Sequence, residues 1–525
     1  MVIDNLEIEY NQRTPLEHRK KFAQFFTPYK IADIMSQWLV GNKKLKNVLE
    51  PAFGLGIFSR ILLQYNKNLN IKGFEIDKNI FDEASKFFEK EKNVKILLED
   101  YMNNDWKNKY DGIICNPPYF KFQNYDNKNI INEIEDRLSL KLNGFTNLYA
   151  LFLLKSINQL NKNGRAAYII PSEFLNSDYG KLVKEHLIKN KTLRHVIVIN
   201  FEKNVFDDVL TTASILLFAN DDKVDSIKFS NIKNLDDLNE SKELINKYPE
   251  NINNTGIVRF KELNPEIKWR SYYQLQNSKK YKNLVSFSNY GKVMRGIATG
   301  ANEYFVFSKS KAEKFGIKSQ YLLPCICRSA HIKNSFFTKD DFADLQNADK
   351  EIFLFNAVNI QDNKVKDYIS LGQKNDIDKK FLTSRRNPWF LLENRQPAPI
   401  WVSVFNRDGL KFIKNEANIS NLTTFHCIYL NMFSLNKIDL LFAYLLTDIS
   451  REIFEDNRRE YGNGLKKFEP NDINKAKMLD LNKLSIKTEN KILDFYHEYR
   501  QSILDKRPNK DLLNKINNIF VENYS

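Results

Sequence analysis

The chain has 525 residues, 42% of them hydrophobic and 13% aromatic, which excludes intrinsic disorder and gives enough apolar matter for roughly two to four packed domains. No apolar run reaches the roughly 18 residues of a membrane-spanning helix, and the first 22 residues lack the apolar stretch of a secretory signal. The net charge of +15 is uneven: residues 1–250 hold 36 Lys+Arg against 34 Asp+Glu (+2), and residues 251–525 hold 44 against 31 (+13). A basic half joined to a nearly neutral half predicts a polyanion-binding module attached to a different function. Four cysteines (115, 325, 327, 427) cannot frame a disulfide scaffold and fit a reducing cytoplasm. Neither they nor the six histidines (18, 186, 195, 331, 426, 497) have metal-ligand spacing, so no metal is expected.

Residues 1–22 are polar and read as an arm or a loose first helix. KIADIMSQWLV (30–40) carries apolar residues at helical spacing, with Thr27-Pro28 as its start signal. NVLEPAFGLGIF (47–58) is a short apolar strand ending in a two-glycine turn, and ILLQY (61–65) begins the next helix. IKGFEID (71–77) is a second strand, followed by a helix for which Asp77 is the available N-cap. VKILLED (94–100) and DGIICNPPY (111–119) are the third and fourth, the last ended by two prolines. The alternation continues through the apolar helix NLYALFLLKSINQL (147–160) and the strands RAAYIIP (165–171), RHVIVINF (194–201) and TTASILLFA (211–219). Strand–helix alternation predicts an α/β sheet of seven strands with helices on both faces. The polar, Asn-rich stretch 231–256 is a natural boundary. The expected organisation is an arm (1–22), a first domain (23–245), a linker (246–280) and a second, α+β domain (281–525).

Two motifs carry the chemistry. In Glu50-Pro51-Ala52-Phe53-Gly54-Leu55-Gly56, glycines between a strand and a helix let a ligand approach the backbone where a Cβ would clash. Glu75, ending the next strand, can accept from the hydroxyls of a ribose. Asp100 ends the third strand at the same carboxyl edge of the sheet. Successive strands ending in Glu50, Glu75 and Asp100 predict an adenosine-type cofactor. The full GxGxxG of a dinucleotide site is absent, since Ser59 occupies the third position, and no GxxxxGK[ST] phosphate loop occurs. In Asn116-Pro117-Pro118-Tyr119 the prolines fix the backbone and remove two N–H donors, leaving carbonyls as acceptors. Asn116 supplies another acceptor and Tyr119 a flat face. Acceptors beside a ring platform suit the exocyclic amine of a heterocycle.

FFTPYKIADIM, VLEPAFGLGIF, GFEID, LLEDYMNND, CNPPY, NLYALFLLKSINQLNKNGRAAYIIPSEFL and NVFDDVLTTASILLF occur in the order found in gamma-class adenine-N6 DNA methyltransferases, the TaqI-like modification enzymes. GIATGANEYFVF (296–307), RRNPWF (385–390) and REYGNGLKKFEPNDI (459–473) look like their DNA-recognition domain, so the resemblance spans roughly residues 20–485. It implies a Rossmann-like methyltransferase domain using S-adenosylmethionine, followed by a target-recognition domain. Thr27, Glu50, Ala52, Gly54, Gly56, Glu75, Asp100 and Tyr101 would then hold the cofactor. Asn116 and the carbonyl of Pro117 would accept from the target N6, while Tyr119 and Phe206 would sandwich a flipped adenine. Arg295, Arg385, Arg386, Arg459, Lys466 and Lys467 are candidates for DNA contact. One departure stands out: the loop reads FGLG, where many relatives have a smaller residue before the first glycine.

The resemblance further implies a monomer in the bacterial cytoplasm, acting on double-stranded DNA without a membrane and paired with a separately encoded restriction endonuclease. An RNA adenine methyltransferase would share the whole catalytic half. A protein-glutamine methyltransferase also uses NPPY, but carries a small helical domain before the cofactor motif and no long segment after it. A non-catalytic DNA-binding subunit is the third alternative, against which the intact Asn116 stands.

Overall fold

A computed structural model describes residues 5–119, 128–138, 147–177, 180–199, 213–232, 238–250, 256–274, 276–358, 360–406, 410–460 and 466–525. The chain divides into two compact units, Met1–Leu275 with Glu460–Gly464, and Gln276–Arg459 with Leu465–Ser525. No helix among the described residues is long and apolar enough to cross a membrane.

The first unit opens with helices α1 (Asn5–Arg13), α2 (Leu16–Lys21) and α3 (Tyr29–Val40). Then strand and helix alternate: β1 (Asn47–Glu50), α4 (Ile57–Tyr65), β2 (Asn70–Glu75), α5 (Lys78–Phe87), β3 (Val94–Leu98), β4 (Tyr110–Cys115), α6 (Lys128–Leu138), α7 (Leu148–Asn158) and β5 (Leu160–Pro171). The strands β6 (Leu193–Ile199), β7 (Ala213–Ala219), β8 (Ser226–Ile232) and β9 (Ile257–Arg259) complete one sheet, in the order β3-β2-β1-β4-β5-β7-β6-β8-β9. β1 to β5 run parallel, so Glu50, Glu75, Asp100 and Asn116 all leave the sheet at one carboxyl edge. β7 lies antiparallel between β5 and β6.

Period-2 alternation sorts side chains to the two faces. Ala166, Tyr168 and Ile170 of β5 face a core shared with α7, while Ala167 and Ile169 join Ile31, Ile34, Trp38, Phe58 and Ile61 of α3 and α4. Burial on both faces explains why these strands read as continuous apolar runs.

Three expectations need correction. The seven expected strands are present, but β8 and the short β9 extend the sheet to nine. The stretch expected as linker is partly core: Ile257–Arg259 pairs with β8, and Trp269 is fully buried beside Phe229, its backbone N–H donating to the Leu175 carbonyl at 2.9 Å. Burial of its aromatic residues outweighs the polarity around it. The expected N-terminal arm is two docked helices. The His18 ring bonds Asp77 at 2.8 Å, and Arg60 of α4 pairs with Glu7 of α1.

The second unit is α+β. A five-stranded sheet orders Gly291–Arg295, Phe425–Leu430, Ile400–Ser403, Phe412–Asn415 and Phe336–Phe337, and a four-stranded sheet is built around Leu322–Ile326. Helices Ile438–Leu445, Ile486–Leu504 and Lys510–Tyr524 share one core with the larger sheet.

Candidate active site

The carboxyl edge of the first sheet opens into a cleft of about 840 Å³, and Thr27, Glu50, Ala52, Gly54, Glu75, Asp100, Tyr101 and Asn116 are among its lining residues. Gly54 and Gly56 both adopt left-handed backbone, with φ of 54° and 72°, a conformation that costs other residues roughly 1–2 kcal/mol. Their surroundings differ. A Cβ on Gly54 would meet only Ile80 Cδ1 at 4.0 Å, so space is open beside it, whereas a Cβ on Gly56 would strike Phe53 and Phe88 at 2.6 Å. Phe53 is turned inward, 2% exposed, its ring lying where a Cβ on Gly73 would be, 2.1 Å from that ring. The large residue before the first glycine therefore packs into core space while also forming part of the cleft wall.

Two carboxylates brace the cleft. Glu75 accepts from the backbone N–H of Gly54 (2.9 Å), Ile76 (2.8 Å) and Asp77 (2.9 Å), tying the glycine turn to the end of β2. Three of roughly four acceptor directions on a carboxylate are thus taken, and the open one is on Oε2. Burial raises the Glu75 pKa, with the three N–H donors opposing it. Glu50 is fully buried; its Oε2 accepts from the Ser59 N–H and hydroxyl, and Oε1 has no partner among the described residues. Burial pushes the Glu50 carboxyl up to about 8, with Ser59 and Arg60 opposing. A buried oxygen without a partner is costly, and this one belongs to a cleft-lining residue.

Asp100 accepts from the Met102 N–H at 2.8 Å, capping the turn that carries Tyr101. The Tyr101 ring packs against Phe74 and Phe152, and its hydroxyl bonds Ser156 and Gln159 of the α7 segment. Beneath it lies a group the sequence hides. Lys155 is wholly buried, with Nζ 3.8 Å from the Tyr101 ring centroid and donating to the carbonyls of Tyr101 and Asn104. Burial lowers its pKa to about 7. The only available signal was a lysine inside an otherwise apolar helix.

Asn116 defines the remaining wall. Its Nδ2 donates to the Phe25 carbonyl (2.9 Å) and to Thr27 Oγ1 (3.0 Å). Both donors being used, the amide orientation is fixed, and Oδ1 is the atom left to accept. Pro28 starts α3 and sets Thr27 in place, 3% exposed. Tyr119 lies behind the motif: its hydroxyl donates to the Ile169 carbonyl at 3.1 Å and its ring meets Tyr149 edge-on at 6.3 Å. Burial raises its pKa well above the usual tyrosine value. Pro117 is buried; neither it nor Tyr119 lines the cleft. Phe206 lies outside the described residues. Tyr10 and Gln24, unremarked in the sequence, form a chain of hydrogen bonds ending on Asp77, which also bonds the His18 ring and caps α5.

The second-unit candidates separate by partner. Arg295 and Lys467 both bind Glu469, at 2.7 Å each; against burial, which would raise it, those hydrogen bonds and charges hold the Glu469 carboxyl down to about 2. Arg386 is spent on backbone, donating to the carbonyls of Thr299 (2.8 Å) and Ala298. Arg385 is exposed. The side chains of Arg459 and Lys466 lie outside the described residues.

The sequence matches the Eco57I restriction-modification methylase family over residues 34–206 and the C-terminal domain of the type II methyltransferase M.Eco57I over residues 267–519. The chain is 62% identical to the type II methyltransferase M.AccI of Acinetobacter calcoaceticus, covering 100% of this chain and 98% of that protein. It is 25% identical to the type II methyltransferase M.HindII of Haemophilus influenzae over 77% of this chain and 75% of that one. Among solved structures, the type IIL restriction-modification enzyme MmeI in complex with DNA shares the fold, with a TM-score of 0.55 at 14% identity, covering 99% of this chain and 73% of that one.

Proposed function

Because the chain belongs to the type II methyltransferases of restriction-modification systems, and is therefore a DNA-modifying enzyme, we propose that it methylates N6 of a flipped-out adenine in duplex DNA, using S-adenosylmethionine. The observation that carries this reading is the orientation of Asn116. With both amide hydrogens held by Phe25 and Thr27, Oδ1 is fixed as an acceptor at the rim of the cleft. The carbonyl of Pro117 is the second acceptor in the same rigid turn. An aromatic amine is a poor nucleophile because its lone pair is delocalised; two acceptors holding its hydrogens favour the pyramidal nitrogen of the transition state.

The cleft residues fit the cofactor. Gly54 leaves open space beside its backbone, Oε2 of Glu75 retains an acceptor direction for a ribose hydroxyl, and Asp100 with Tyr101 offers an acceptor and a ring edge for an adenine. Oε1 of Glu50 lacks a partner and suits the cationic methionine end. When bound, S-adenosylmethionine supplies an electrophilic methyl on a sulfonium. The chain's residues position the amine, and in-line approach within about 3–3.5 Å is what such positioning achieves. Tyr119, with Phe206, forms the platform for the extruded base once the turn admits it, and extrusion from the duplex costs a few kcal/mol. The second unit binds the DNA, with the exposed Arg385 the foremost candidate, since Arg386 is held by the carbonyls of Thr299 and Ala298 and Arg295 and Lys467 are paired with Glu469. The enzyme acts as a monomer in the cytoplasm and protects sites from a separately encoded endonuclease.

The test is incubation of the protein with labelled S-adenosylmethionine and either duplex DNA or RNA, followed by nucleoside analysis. N6-methyl-2'-deoxyadenosine in the DNA digest is expected. Label on cytosine, or on RNA alone, refutes the reading.

A further inference from the structure

Two segments far apart in sequence, 296–303 and 377–386, meet on the surface of the second unit. Arg386 donates to the carbonyls of Thr299 and Ala298, and Lys380 pairs with Glu303. Gly300 adopts φ +81°, and a Cβ there would lie 2.8 Å from Leu382 Cβ, so only glycine allows this approach. Thr383 is fully buried, its hydroxyl donating to the carbonyls of Ile377 and Lys380. The 377–386 loop is thus anchored on both sides.

On this anchored loop stands an exposed pair. Phe381 is 66% exposed, and the Arg385 guanidinium lies 3.7 Å from its ring centroid, within cation–π range. Arg385 is itself exposed and makes no ion pair with any carboxylate among the described residues, unlike Arg295, Arg328 and Lys467 of the same unit. An apolar ring held out to water beside an uncommitted guanidinium is the composition of an interface hot spot. The partner must offer flat apolar faces and negative charge together, and it meets a half-chain of net charge +13. Duplex DNA offers both, phosphates along its backbone and base faces at a step that an inserted apolar side chain partly unstacks.

We propose that Phe381 and Arg385 form a DNA contact of the second unit, the ring packing on a base step and the guanidinium neutralising the adjacent phosphate. This rests on the reading of duplex DNA as substrate. Because both side chains are exposed, their replacement leaves the fold intact.

The experiment is fluorescence anisotropy of the full chain with a labelled 30-base-pair duplex that the wild type methylates, in S-adenosylhomocysteine, across a salt series. Phe381→Ala should weaken binding about tenfold or more, the scale of one lost base–aromatic contact, with an unchanged salt slope. Phe381→Trp should bind within about threefold of wild type. Arg385→Ala should reduce the slope of log K against log[salt] by about 0.9, one phosphate's worth, and Arg385→Lys should restore it. Wild-type binding with Phe381→Ala and Arg385→Ala both unchanged in affinity and slope overturns the proposal alone. Failure of the wild type to methylate any duplex, so that no such probe exists, overturns the DNA reading with it.

Discussion

Asn116→Ala isolates the group proposed to hold the target amine. The variant deletes Oδ1, the acceptor fixed at the cleft rim, and leaves the Phe25 carbonyl and Thr27 hydroxyl without their donor. Loss of one preorganised partner of the reacting group costs about 2.7–4 kcal/mol in the transition state, or a 10²–10³-fold fall in kcat. Loss of the two inner hydrogen bonds costs stability about 1–3 kcal/mol, too little to unfold a domain with this much core. Thr27→Val separates these effects: it keeps Oδ1 but removes one of two bonds orienting the amide, a loss near 1 kcal/mol and about fivefold in kcat. Methyl incorporation into duplex DNA gives kcat, and calorimetric titration with S-adenosylhomocysteine gives cofactor affinity, which should stay within about threefold of wild type in Asn116→Ala. Asn116→Ala with activity within tenfold of the parent refutes the role of Oδ1. A wild-type kcat in Thr27→Val refutes the claim that the amide orientation matters.

The two glycines of the turn should respond differently to alanine. Gly56→Ala adds a Cβ 2.6 Å from two phenyl rings at φ 72° and should lose about 2–5 kcal/mol in urea denaturation. Gly54→Ala should lose about 1–2 kcal/mol, from backbone strain alone, while weakening S-adenosylhomocysteine binding; equal stability losses would contradict the described packing. Glu50 gives a pH signature. Its folded pKa, raised to about 8 by burial, lies above the unfolded value, so the folded state holds the proton more tightly and stability is lost as pH rises from about 4.5 to about 8. Relative to wild type, Glu50→Gln should gain stability between pH 5 and pH 8.5, by up to a few kcal/mol. Parallel denaturation midpoints across that range would refute the assignment.

The catalytic unit was legible because burial on both faces writes itself into sequence as apolar runs separated by turn residues. β8 was missed since SIKFSNI alternates, as an outer strand should, and β9 has only three residues. The glycine turn and NPPY were readable from local stereochemistry. The bonds that orient them were not: Asn116 meets Thr27 across 89 residues, and Lys155 looked like any helical lysine. In the second unit, counting charge marked the basic half of the chain but could not separate side chains committed to internal carbonyls, such as Arg386, from the exposed Arg385.

Phe53 and Gly73 behave as a single volume divided between two positions. The ring occupies the space that a side chain at 73 would need, and presses on Gly56 from the other side. Enlarging residue 73 alone would drive the ring toward the cleft; shrinking residue 53 alone would open a void behind the turn. Homologues or designed variants with a small residue at 53 should therefore carry compensating bulk at 73 or 88. Transplanting the turn between relatives should succeed only when those positions travel with it.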